Sequence, residues 1–405
     1  MRAGGVPATL DFDLAQDRYF GAKKSDIAIS QTAGGYVQTS GRLWLPKPPG
    51  VLRLSDLGLL VEESRTNSIR NNSMQGAVAG SPGTLPTNWG VPSLAGLTET
   101  VVAVGAVNGI DYIDLRYQGT TTGTILFRYF ESTLQIAASV GQTFTYSSFL
   151  AMVGGSAGNI ASIRNSLTER NSVGGVLGIL TGQNVLPSLS SNLTRFADTG
   201  TTLQATTAAV QPGFAMNFAS GVAIDVTIRI GWPQLELGAF ATSPIRTTAA
   251  AATRAADFIT FPVGGWYNSI EGALFAEGSP YAGVLGTPAV LQIGTSTNRI
   301  ITSLPGVGSN SSPPAAVITS SVTQTAFTNV IGVSPAKSAL AYATNNFGAA
   351  YNGALQTDNV GSLPSVGATT YLGTNSSGAF YSGYIKRIAY FPIRLPNAEL
   401  QSLTQ

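Results

Sequence analysis

Residues 222–232 read VAIDVTIRIGW. Val222, Ile224, Val226, Ile228 and Ile230 alternate with Ala223, Asp225, Thr227, Arg229 and Gly231, the period of two that a strand shows when one face is buried. Asp225 and Arg229 therefore share the opposite face. The same kind of run occurs in YIDLRYQG (112–119) and TILFRYFES (124–132), separated by the glycine-bounded turn GTTTG (119–123), and again in GQTFTYSSFLAMVGG (141–155). In the last, Phe144, Tyr146 and Ser148 face opposite to Thr145, Ser147 and Phe149. No stretch between 70 and 235 sustains a 3.6-residue period, so this block predicts a β-sandwich.

Immediately downstream lies QLELGAFATSPIRTTAAAATRAADFITF, residues 234–261. Pro233 and Pro244 fall where a central strand would reject them. The alanine run 249–252 is too short for a stable helix and has no apolar stripe. Residues 241–256 therefore read as a surface strap between two domains. DFITFPVGGWYN (257–268) opens a second apolar block, which ends with the strands TYLGT (370–374) and GYIKRIAYF (383–391). Ile385, Ile388 and Tyr390 cannot share one face of a regular strand, which predicts a β-bulge near Lys386. Residues 396–404 predict a short helix with Pro396 at its first position and Leu400 and Leu403 on one side.

Composition agrees with an all-β chain. Of 405 residues only 10% are charged, against about 25% on average, while 43% are hydrophobic and 47 are glycine. Mean hydropathy is +0.18. The net charge of +2 is scattered, giving no footprint for nucleic acid. No segment has the apolar core of a signal peptide or the length of a membrane span, so the expectation is a protein made in a cytoplasm, without membrane insertion. His and Cys are both absent, which removes serine and cysteine triads and imidazole or thiolate metal sites. No cofactor and no metal site is expected, and the Asp residues form no EF-hand-like motif. Carboxylate chemistry remains open through Asp111, Asp114 and Glu131, since two carboxylates suffice to cleave a glycoside. The expectation is nevertheless no catalytic residue and no enzyme.

Three segments, LGLLVEESRTN (57–67), PQLELGAFATSPIRTTAAAATRAAD (233–257) and GYIKRIAYFPIRLPNAELQSLT (383–404), resemble structural proteins of tailed bacteriophages, the head-spike and tail-fibre proteins. In these a carbohydrate-binding-module-like jelly roll precedes a concanavalin- or laminin-G-like sandwich. The resemblance implies two tandem β-sandwich domains behind an extended N-terminal docking segment: docking segment 1–68, jelly roll 69–240, strap 241–256, and second sandwich 257–405 with its short C-terminal helix. It departs from the pattern at Leu395-Pro396, where relatives place a Ser or Thr cap, and at IAISQTAGGYVQTSG (27–41), where they carry a clearer Arg-Ala-Ser-Thr pattern.

The implied setting is a virion, with capsid or tail proteins and host-surface polysaccharide as partners. Thr-rich, charge-poor stretches such as TTTGTILF (120–127) and TTLQATTAAV (201–210) add the expectation of a homo-oligomer, a trimer. Candidate glycan contacts are aromatics beside amides: Asn88 and Trp89, in the Pro- and Gly-rich SPGTLPTNWGVPS, and Trp266, Tyr267 and Asn268. DYIDLRY (111–117) supplies the same residue types. The bland alternative for each ring is a place in a sandwich core. Glu62, Glu63 and Arg65 are expected to pin the linker or to make inter-subunit contacts. Arg246 and Arg254 are expected to hydrogen-bond carbonyls at the domain joint. A passive decoration protein and a carboxylate-dependent depolymerase are the competing readings.

Overall fold

The computed structural model describes residues 1–283, 289–308, 315–327 and 330–405. The protein is all-β, built from antiparallel sheets packed face to face, with a short α-helix at Asn397–Thr404. The chain separates into two compact units, one made of Arg65–Thr253 and the other of Met1–Ser64 together with Arg254–Gln405.

In the Arg65–Thr253 unit, one five-stranded sheet has the order Thr98–Val107, Ile110–Thr120, Ala223–Leu237, Thr143–Gly155, Thr194–Thr201. Contrary to expectation the middle strand runs on through Pro233, which sits at a register shift beyond the last pair with Ile110–Thr120. The facing sheet runs Ile125–Tyr129, Ala209–Phe218, Ile160–Arg170, Val176–Thr181, with Ile136–Ala137 also on Ala209–Phe218. Ile224, Val226, Ile228 and Ile230 all enter the core, against Ile163, Leu167, Phe214 and Met216 of the facing sheet. Asp225 and Arg229 lie on the outer face, where each finds a bidentate partner on Ile110–Thr120: Asp225 with Arg116 at 2.7 and 2.8 Å, Arg229 with Asp114 at 2.8 Å twice. The GTTTG turn is not a hairpin. It carries the chain from one sheet to the other, since Ile110–Thr120 and Ile125–Tyr129 pair with different strands.

The expected strap is only partly at the surface. Thr242, Ser243, Ile245 and Thr247 are buried, and Arg246 and Thr248–Ala251 are exposed. The buried part can leave the sheet ladder because buried side chains satisfy its backbone: Gln234 Oε1 accepts from Ile245 N at 2.7 Å, and Asn72 Oδ1 from Thr247 N at 2.7 Å.

The other unit has a seven-stranded and a nine-stranded sheet. Here the chain departs from the expected order. Residues 1–64 are no separate docking segment: Leu10–Asp13 pairs with Gly383–Phe391, Gly58–Val61 pairs with the same strand nearer its start, and Ala28–Ser30 edges the opposite sheet beside Phe258–Pro262. The reason is the apolar set Leu10, Phe12, Leu14, Leu59 and Val61, which packs into one core with Ile259, Leu274, Leu291 and Ile388. The divisions expected at 68 and 256 accordingly fall at 64/65 and 253/254. The Lys386 bulge is present, with Glu277 opposite Arg387 and Gly278 opposite Ile385. The helix spans Asn397–Thr404; Pro396 caps it through its carbonyl, to which Glu399 N and Leu400 N donate, and Leu400 is fully buried.

Asp11 ties the first strand down. Arg387 grips its carboxylate at 2.7 and 2.8 Å, and the Met1 ammonium also donates to it. Burial works to raise this carboxyl, yet the Arg387 and N-terminal interactions outweigh it and hold it below its ordinary value. A depressed folded value stabilises above the unfolded pKa, about 3.9, and that contribution fades as pH falls through the folded value. Stability should therefore fall as pH drops below about 4, and Asp11→Asn should flatten that fall. Urea midpoints of both proteins across this range check it, and parallel pH slopes would remove Asp11 as a cause.

Candidate functional site

The predicted glycan contacts do not form an exposed platform. Trp89 is half-buried rather than at a loop tip: its Nε1 donates to Asn71 O at 3.0 Å and its ring lies 5.0 Å from that of Phe130. Asn88 sits beside it in a left-handed turn at φ 74°. Trp266 is 5% exposed, inside the core of its unit and edge-on to Tyr390 at 5.2 Å, so it offers no face to a sugar. Asn268 is spent on structure. Its Nδ2 donates to Pro392 O at 2.7 Å, its Oδ1 accepts from Ile270 N, and its carbonyl accepts from the Tyr342 and Tyr390 hydroxyls. Tyr267 is half-buried against Trp266 and Tyr390. In each case the apolar area of the ring outweighs the local Gly and Pro content that suggested a loop.

The candidate carboxylates are likewise engaged. Asp111 accepts from Arg246 Nε at 2.8 Å and Trp232 Nε1 at 3.2 Å, Asp114 pairs with Arg229, and fully buried Glu131 holds Arg70 at 2.6 Å. Glu62 is fully buried between Arg53 and Arg254, a structural place; Glu63 offers its carbonyl to Arg254 Nη2 at 2.8 Å. Arg65 reaches back to Leu237 O and covers the Phe240 ring at 4.6 Å, which pins the linker. Arg246 pairs with a carboxylate rather than carbonyls, whereas Arg254 does both. Among the described residues no group of three His, Cys, Asp or Glu could hold a metal ion, and no helix is long and apolar enough to cross a membrane.

A different place gathers convergent polar groups. In the Arg65–Thr253 unit, Thr194–Thr201 ends one sheet and Val176–Thr181 ends the other. The interior between these edges is polar. Asn165 bridges the sheets, its Oδ1 accepting from Ser148 Oγ at 2.6 Å and its Nδ2 reaching Phe196 O at 3.1 Å and Asp198 Oδ2 at 3.3 Å. Above it lies a groove of about 440 Å³ lined by Tyr146, Arg164, Thr181, Gln183, Asp198 and Thr199, within the usual span of about 300–1,000 Å³ for ligand sites. Asp198 Oδ1 accepts from Gln183 N at 2.8 Å. Gly182 leaves room for the carboxylate, for a Cβ there would fall 2.1 Å from Asp198 Oδ2. Burial first, and the charge of Asp198 after it, push the Tyr146 phenol above its ordinary range, so it is a neutral hydroxyl donor at physiological pH.

A second concavity of about 480 Å³ is lined by Gln118, Thr120, Ser156, Asn159 and Asp225. It has no aromatic ring, and its main polar groups are occupied: Asn159 Nδ2 on Ala223 O, Asp225 on Arg116. Of the first groove, sequence reasoning had only Tyr146, as one face of an alternating strand. Arg164, Gln183 and Asp198 come together through the pairing of distant strands, and no local spacing signals that.

No protein-family model matches the chain, and no curated protein matches it. Among solved structures, domain 4 of AbnA, an extracellular arabinanase from Geobacillus stearothermophilus, in complex with arabinotriose, aligns over 41% of this chain and 82% of its own, at 13% identity and TM-score 0.31. The N-terminal tandem carbohydrate-binding domain CBM22-1-CBM22-2 of Xyn10C from Paenibacillus barcinonensis covers 80% and 98%, at 9% identity and TM-score 0.25. The tripod from the baseplate of bacteriophage Tuc2009 covers 69% and 97%, at 13% identity and TM-score 0.27. Likenesses this loose transfer neither topology nor activity.

Proposed function

We propose that the chain is a bacteriophage virion protein, a head spike or tail fibre, that assembles as a homo-oligomer with other virion proteins and adheres to host-surface glycan. The observation that carries the adhesive part is the groove at Tyr146, Arg164, Gln183 and Asp198, a concave surface rich in hydrogen-bonding groups. The three phage-like segments support the virion setting. Adhesion is favoured over cleavage because one carboxylate, Asp198, lines the groove, where glycoside hydrolysis ordinarily uses two. A glycan array probed with the full chain, followed by a reducing-end assay on any glycan retained, tests the reading. Retention without new reducing ends is expected. Retention with release of reducing ends would make the protein a depolymerase, and no retention of any glycan would leave a passive decoration protein.

A further inference from the structure

The chemistry of the groove narrows its ligand. Asp198 takes hydrogen bonds from two neutral amides, Gln183 N and Asn165 Nδ2, and makes no ion pair among the described residues. Each of its oxygens keeps a free lone pair. Across the groove Arg164 spends Nη1 on Gly182 O at 2.8 Å and Nε on Ser162 Oγ at 3.3 Å, which leaves Nη2 to donate. A carboxylate and a guanidinium thus line one concavity without neutralising each other. Gln183 and Thr181 are exposed at its lip.

Resting on the adhesive reading above, we propose that this groove binds an uncharged, hydroxyl-rich saccharide, with Asp198 accepting from adjacent hydroxyls and Arg164 and the Tyr146 hydroxyl donating to ring or hydroxyl oxygens. A hydroxyl gives and accepts, so one neutral sugar satisfies both charged groups at once. A uronic acid would gain Arg164 but bring its carboxylate towards Asp198. An amino sugar in its cationic form would gain Asp198 and oppose Arg164. Either pays a like-charge penalty that a neutral sugar avoids.

The test uses the full chain against three matched sets of probes: neutral gluco-, galacto-, manno-, xylo- and arabino-oligosaccharides, uronic-acid oligomers, and oligomers of glucosamine. Titration calorimetry is expected to register binding within the neutral set, weakened roughly ten- to hundredfold by Asp198→Asn, as for loss of hydrogen bonds to a charged group. Asp198 also holds the Gln183 amide, so a second variant guards against misfolding. Thr181→Trp, at an exposed position, should fill the groove and abolish binding with an unchanged melting profile. Tighter binding of uronic-acid or glucosamine oligomers than of neutral ones would overturn the ligand class. Neutral binding untouched by both variants would overturn the site while leaving the adhesive reading intact. Failure of all three sets to bind would take down both.

Discussion

Replacing Arg53 by alanine is expected to destabilise the unit that contains it by about 3–5 kcal/mol, the usual cost of leaving a buried charge without its partner. Arg53 is 1% exposed; its Nη1 lies 2.6 Å from Glu62 Oε2, its Nε 3.1 Å from Asp257 Oδ1, and it also donates to Tyr36 O at 3.2 Å. Arg254 completes the cluster, 3.4 Å from Glu62 and 3.8 Å from Asp257. Two cations therefore balance two anions in a place closed to water. Burial works against the Arg53 charge, and the two carboxylates overcome it, holding the guanidinium more firmly protonated than usual. Truncation leaves two buried carboxylates facing one arginine. The exposed Arg116–Asp225 pair is the control, and Arg116→Ala should cost far less, because water screens that pair. Chemical denaturation of both variants decides, and equal small losses would mean that solvent reaches the cluster.

Trp266→Ala is expected to cost about 3–5 kcal/mol, as for large aromatic side chains removed from a core. The ring packs on Phe261 at 6.0 Å and Tyr390 at 5.2 Å, and its backbone carbonyl accepts from Thr9 Oγ1 at 2.7 Å. Its Nε1 has no hydrogen-bond partner among the described residues, so Trp266→Phe removes an unsatisfied donor as well as volume. The phenylalanine variant should be distinctly more stable than the alanine one. Thermal melts compare the three proteins. An alanine variant that melts like the parent but no longer attaches to cells would return Trp266 to the list of glycan contacts.

Period-two alternation placed the strands well where one face is apolar. Ile224 to Ile230 and the slip at Lys386 were legible because each depends on the order of neighbouring side chains. What a strand pairs with was not. Asp225 meets Arg116 across 109 positions of sequence, and nothing within either strand names the other. Trp89 misled for a related reason. Its neighbours Pro86 and Gly90 do disfavour a strand, but an irregular segment can still turn a ring inwards, here onto Phe130. The groove at Asp198 was invisible because it exists only where the edges of two sheets come together.

The interrupted unit also has a timetable. Asp11 and Arg387, joined in the finished protein, are 376 positions apart in the chain. At roughly 5–20 residues per second a ribosome needs about 20–80 s to make the second after the first. For most of that interval Leu10, Phe12 and Leu59 have been made without the strand that will cover them. Residues 65–253, by contrast, contain all the strands of both their sheets and can close as soon as they leave the exit tunnel. The middle of the protein is thus ready to fold first, and its beginning must wait for its end. A chaperone that shields the opening strands would raise the yield of intact protein, while residues 65–253 expressed alone would gain nothing from it.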